Sequence, residues 1–79
     1  SYGIQVAFFD GVDRQKQAEA VRQRLESSTD KKAKVVVSDN GAEYRVIIDG
    51  FPTREAAKTA CEQLKSKTGF SDAWVKRLP

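Results

Sequence analysis

The chain has 79 residues, 39% of them hydrophobic and 32% charged, and a mean hydropathy of -0.58, which fits one small folded domain and leaves no core for a second. The longest apolar runs, such as Val6 to Phe9, fall far short of the roughly 20 residues a membrane span needs. A net charge of +3 is spread evenly, with seven Lys/Arg and six Asp/Glu in residues 1–42 and seven and five in 43–79, so no polyanion groove is announced and no nucleic-acid partner is expected.

In chain order, Tyr2 to Phe9 alternates as a strand, and Ala18, Val21 and Leu25 then recur at helical spacing. A polar stretch, Ser27 to Lys32, precedes a second β-branched segment, Lys34 to Ser38. Asp39-Asn40-Gly41 reads as a tight hairpin into Tyr44 to Phe51. Ala57, Ala60 and Leu64 mark a second helix, Ser66 to Asp72 a second polar stretch, and Ala73 to Lys76 a last strand. Asp13 and Thr53 stand where a side-chain oxygen can cap a helix, and Gly69 where a helix can stop. The chain is thus two copies of one unit. Tyr2, Ile4, Val6 and Phe9 align with Tyr44, Val46, Ile48 and Phe51, and each copy runs strand, helix, strand. The expected fold is α+β: a two-layer βαββαβ sandwich of ferredoxin-like type, with a four-stranded antiparallel sheet and both helices on one face.

Cys61 has no partner for a disulfide and reads as a small helix-face residue. With no His in the chain, no zinc site is expected. No Cys/His pair, Ser/His/Asp set or glycine-rich phosphate loop is present, so neither a catalytic residue nor a cofactor is expected, and the segment is not read as an enzyme. A start at Ser1 and the absence of Met suggest a single domain, residues 1–79, cut from a longer protein.

Strand alternation places Ile4, Val6, Val35, Val37, Tyr44, Val46, Ile48, Ala73 and Val75 toward the helices. The opposite set is Gln5, Ala7, Val36, Glu43, Arg45, Ile47, Trp74 and Lys76. This open face mixes apolar area with amide and cationic groups, which suits an amphipathic ligand. Trp74 could stack on a nucleobase or on a pyranose ring; the third strand lacks the outward aromatics of an RNA-binding sheet, which favours the sugar.

Ile4-Gln5-Val6-Ala7-Phe8-Phe9 before an Ala-rich helix, followed by Tyr44-Arg45-Val46-Ile47-Ile48-Asp49-Gly50-Phe51-Pro52-Thr53-Arg54-Glu55-Ala56-Ala57, resembles a SPOR (sporulation-related repeat) domain from Tyr2 to about Lys76. The resemblance implies a noncatalytic bacterial module that binds peptidoglycan glycan strands lacking stem peptides and brings its parent protein to the division septum. It implies a place in the cell envelope, in the periplasm or outside the inner membrane. A parent such as a septal lytic transglycosylase or an amidase would fit. Gln5 matches the family's first-strand Gln, Arg45 its third-strand Arg, and Trp74 a bulky last-strand residue on the same face. Phe9 and Phe51 match the aromatic closing each motif and read as core. The chain departs from the family at Ala7-Phe8, at Glu43 and at Asp49-Gly50. The expected glycan contacts are therefore Gln5, Arg45 and Trp74, with Ile47, Val36, Phe8, Glu43 and Lys76 around them, in a monomer that makes no membrane contact. The alternative is an interaction module that dimerises through its open sheet face.

Overall fold

The computed structural model of the chain describes residues 1–68 and 70–79. Its elements are β1 (Tyr2–Phe9), α1 (Arg14–Ser28), β2 (Lys34–Val37), β3 (Tyr44–Phe51), α2 (Arg54–Thr68) and β4 (Trp74–Arg77). The strands form one antiparallel sheet in the order β2-β3-β1-β4, the arrangement expected from two right-handed βαβ halves joined by a hairpin. The aligned residues of the sequence repeat, Ile4 and Val6 with Val46 and Ile48, lie side by side on the two central strands, and none is more than 4% exposed.

The core lies between that face of the sheet and the two helices. Ala18 and Leu25 of α1 and Ala57, Cys61 and Leu64 of α2 are buried, while Val21 and Ala60 pack at its margin, as their spacing requires. Phe9 and Phe51 also pack against the core from its edge. Cys61 fills space as a small apolar group, and burial pushes its thiol pKa up, away from the reactive thiolate. Phe70, inside a stretch read from sequence as polar turn, is 5% exposed and belongs to the core. Its ring also carries the Arg24 guanidinium, 4.5 Å above its centroid.

Several local expectations change. Both helices extend into the stretches read as polar, to Ser28 and Thr68, and serine hydroxyls near their ends bond back to carbonyls of the preceding turn: Ser27 and Ser28 donate to Arg24, and Ser66 donates to Gln63. Thr53 caps α2, its Oγ1 accepting the Ala56 N–H at 3.1 Å. Asp13 occupies the corresponding position of α1 without a side-chain cap bond, since its backbone (φ -94°, ψ 22°) is not in the extended conformation that aims a cap at the helix amides. Arg14 ties down that end instead, donating to the Gly41 carbonyl at 2.7 Å and the Gly11 carbonyl at 3.0 Å. The Gly69 stop lies outside the described residues. The hairpin is wider than a two-residue Asn-Gly turn: only Gly41 has positive φ (72°), its N–H donates to the Ser38 carbonyl, and Asn40 Oδ1 accepts from the Ser38 hydroxyl and the Ala42 N–H.

Glu26 anchors the α1–β2 connection. Its carboxylate accepts the Ala33 N–H at 3.2 Å and pairs with Arg22 at 3.2 Å. These bonds, the backbone one foremost, hold its pKa below the usual Glu value. A carboxyl whose folded pKa is depressed contributes stability that is present above its unfolded pKa and is lost as pH falls through the folded one. Glu26→Gln should therefore flatten part of the acid limb of stability, with chemical denaturation below pH 5 showing a shallower slope than the parent; an unchanged slope would remove Glu26 from this role.

Candidate open-face binding site

The β1–β3 pairing shifts register twice, between Tyr2 and Ile4 and between Gln5 and Ala7, and the second shift shapes the face turned away from the helices. β1 pairs with β3 as Gln5 opposite Ile47 but Ala7 opposite Val46, so Val6 is an extra residue and the register shifts by one. The consequence is a change of side for everything after it. Ala7, expected on the open face, packs against the core instead, beside Val6. Phe8 moves to the open side, opposite Arg45, where it is 41% exposed.

Two cross-strand rows result. In the first, Trp74 lies opposite Gln5, Gln5 opposite Ile47, and Ile47 opposite Lys34. In the second, Phe8 lies opposite Arg45 and Arg45 opposite Val36. Arg45 lies one row from Trp74 and Gln5, because Ile47, two residues along β3, holds the place opposite Gln5; the bulge sets Phe8 and not Ala7 opposite it, giving it an aromatic partner.

Within these rows the polar groups are held in place. Lys76 Nζ donates to Gln5 Oε1 at 3.3 Å and sits 6.0 Å from the centre of the Trp74 ring. The Arg45 guanidinium lies 4.9 Å from the Phe8 ring centre and pairs with Glu43 at 3.2 Å. Glu43 therefore positions Arg45. Because both partners are partly solvated, the pair is worth under about 1 kcal/mol, and a ligand anion can compete for the remaining guanidinium donors.

Trp74 is half-exposed and presents its ring to solvent. Ile47 is only 4% exposed and stands outside the core cluster, so it is the floor beneath its polar neighbours and offers a ligand almost no area. Val36, at 37% exposed, lies at the surface. Val37 was expected inward, yet it is 45% exposed, because it ends the outermost strand where the helix layer no longer covers it.

Two hollows occupy the face. One, about 360 Å³, is bordered by Gln5, Phe8, Asp72 and Trp74 and continues along β1 to Val6, Ala7 and Phe9; the other, about 720 Å³, is bordered by Lys34, Val36, Arg45, Ile47, Asp49, Lys76 and Leu78 among others. The first is aromatic. The second is cationic, although Lys34 is paired with Asp49 at 2.7 Å. Lys34 escaped the sequence reading even though it shares the parity of Val36. Leu78 could not have been found that way: its side chain lies where a Cβ on Gly3 would sit, 2.8 Å from that position, and the Ile48 carbonyl oxygen is equally close, so Gly3 is required by this approach. The Leu78 N–H donates to the Ser1 carbonyl at 3.0 Å, closing that end of the face.

Among the described residues there is no cluster of His, Cys, Asp and Glu able to hold a metal ion, and no helix long and apolar enough to cross a membrane. The fold defines a small α+β module whose sheet is covered by helices on one face and is shallow and open on the other. Comparison with family models matches residues 1–77 to the SPOR domain, and the chain belongs to that family. SPOR domains are noncatalytic peptidoglycan-binding modules of bacterial cell-envelope division proteins, so this segment binds and does not catalyse. No curated protein and no solved structure matches the chain.

Proposed function

We propose that the open sheet face recognises peptidoglycan glycan strands that lack stem peptides, and that this binding gathers the parent protein at the division septum, in the periplasm or outside the inner membrane. The domain binds as a monomer in dilute solution. The observation that carries the reading is the half-exposed Trp74 opposite Gln5 and beside Lys76, with Phe8 and Arg45 on the next row. An aromatic face stacks on the apolar face of a pyranose ring, while amide and cationic groups donate to acetamido, hydroxyl and carboxylate oxygens.

Stem peptides are joined to the lactyl carboxyl of muramic acid. Their removal frees one carboxylate per disaccharide and clears the bulk that would otherwise stand between the ring and a flat surface. Such a strand is a sparse polyanion with exposed ring faces, matched to one aromatic hollow next to one cationic hollow. Gln5, Phe8, Val36, Arg45, Trp74 and Lys76 are the contacts in this reading, with Glu43 positioning Arg45 and Ile47 supporting the floor.

Purified sacculi, with and without prior amidase treatment, provide the test by co-sedimentation. Binding is expected to rise after the stem peptides are removed. Equal binding to both preparations would overturn the selectivity for stripped strands.

A further inference from the structure

β2 is an outer strand, and its backbone shows which of its groups look outward. The Ser38 N–H donates to the Glu43 carbonyl at 2.9 Å and the Glu43 N–H to the Ser38 hydroxyl oxygen at 3.0 Å, so Ser38 and Glu43 occupy a hydrogen-bonding position at the hairpin end of the β2–β3 ladder. In an antiparallel ladder such pairs alternate, so Val36 with Arg45 and Lys34 with Ile47 are the next two. The N–H and C=O groups of Val35 and Val37 consequently point to the free edge.

Edges of this kind are ordinarily guarded by an outward charge, a proline or a bulge. β4, at the other side of the sheet, carries Lys76 and Arg77. β2 has no proline and pairs with β3 in unbroken register. Its one charged residue, Lys34, is drawn back across the sheet to Asp49. The edge left behind is Val35-Val36-Val37, with Val36 and Val37 both exposed. Its flanks differ in sign: Lys31 and Lys32 precede the strand and Asp39 follows it.

We propose that β2 pairs with β2 of a second copy, antiparallel, about a two-fold axis through Val36. That register is selected by the backbone. With Val36 opposite Val36, Val35 of each copy meets Val37 of the other, so all the outward N–H and C=O groups are paired and opposed side chains share a face. Centring on Val35 would set Val37 against Ala33, outside the strand. Antiparallel pairing also brings the basic end of each β2 to the acidic end of its mate, which a parallel arrangement would not do. The two sheets become one, with both open faces on the same side.

A four-residue strand makes a contact below about 1,200 Å², the size of a transient association. Copies are therefore separate in dilute solution and pair where a polymeric ligand crowds them, which raises their effective concentration. Where pairing occurs in the cell rests on the glycan-binding reading; the edge itself does not.

The experiment is disulfide trapping in a Cys61→Ala background. In the proposed register the two Val36 Cα atoms lie about 4.5 Å apart, within disulfide range. Val36→Cys should give a covalent dimer under mild oxidation at millimolar concentration alone, and at micromolar concentration on amidase-treated sacculi. Ser38→Cys, set opposite Lys34, should give about tenfold less. Adding Val37→Lys to Val36→Cys should cut trapping about tenfold while the protein still folds by circular dichroism, and Val37→Lys alone, with Val36 intact, should still sediment with sacculi. Equal trapping at both cysteine positions, insensitivity to Val37→Lys, or no dimer at millimolar concentration would overturn the pairing. Trapping of Val36→Cys in free solution, with no sedimentation of its Cys61→Ala parent on sacculi, would support the edge and reject the glycan reading alone.

Discussion

Leu25→Ala is expected to be the most damaging single truncation, lowering unfolding free energy by about 2–5 kcal/mol, with Leu64→Ala in the same range. Leu25 is fully buried at the centre of the α1 face, and Leu64 is 5% exposed at the equivalent place on α2. A domain of this size holds only about 5–10 kcal/mol in all, so either change removes a large share. The buried neighbours are mostly small or β-branched, and none is a methionine able to swing into the gap. The cavity should therefore persist and the cost should lie in the upper part of the range. Denaturant titration measures it directly. A midpoint for Leu25→Ala equal to that of the parent would mean that α1 does not seal the core as described.

Trp74→Ala and Arg45→Ala should each weaken binding to amidase-treated sacculi by about 1–3 kcal/mol, through loss of ring stacking in one case and of a charge-assisted hydrogen bond in the other. Stability should hardly respond. Trp74 is half-exposed on the outer strand, and Arg45 makes only a solvated ion pair and a ring contact. Thermal midpoints within about 5 °C of the parent would correspond to less than about 1 kcal/mol for a chain of this length. The two residues occupy different rows, so they test different hollows: Trp74 the aromatic one and Arg45 the cationic one. Undiminished binding by the double variant would exclude the open face as the glycan site, and unfolding by either substitution would show it to be structural.

The core was legible because its signal is periodic. Ile4, Val6, Val46 and Ile48 repeat at period two, and Ala18, Val21 and Leu25 with Ala57, Ala60 and Leu64 repeat at helical spacing, so local chain geometry alone assigns them to one side. Phe70 escaped because a single buried aromatic in a turn has no period. The open face was half legible. Gln5, Arg45, Val36 and Trp74 follow simple alternation, whereas Phe8 and Ala7 do not, because the extra residue at Val6 reverses parity and no composition cue marks it.

Element order, strand pairing and the chemical character of the open face were determined by the amino-acid sequence, since all three follow from hydrophobic period, a hairpin loop and the handedness of βαβ crossovers. The grouping of side chains on that face was decided by tertiary structure. Whether Arg45 faces Ala7 or the Phe8 ring depends on where two strands slip by one residue. Whether Ile47 is a contact or a floor depends on which side chains close over it. Leu78 reaches the sheet only because Gly3, 75 positions earlier, leaves room. Register and close approach are relations between residues distant in the chain, and their energies are those of packing, which no local pattern records.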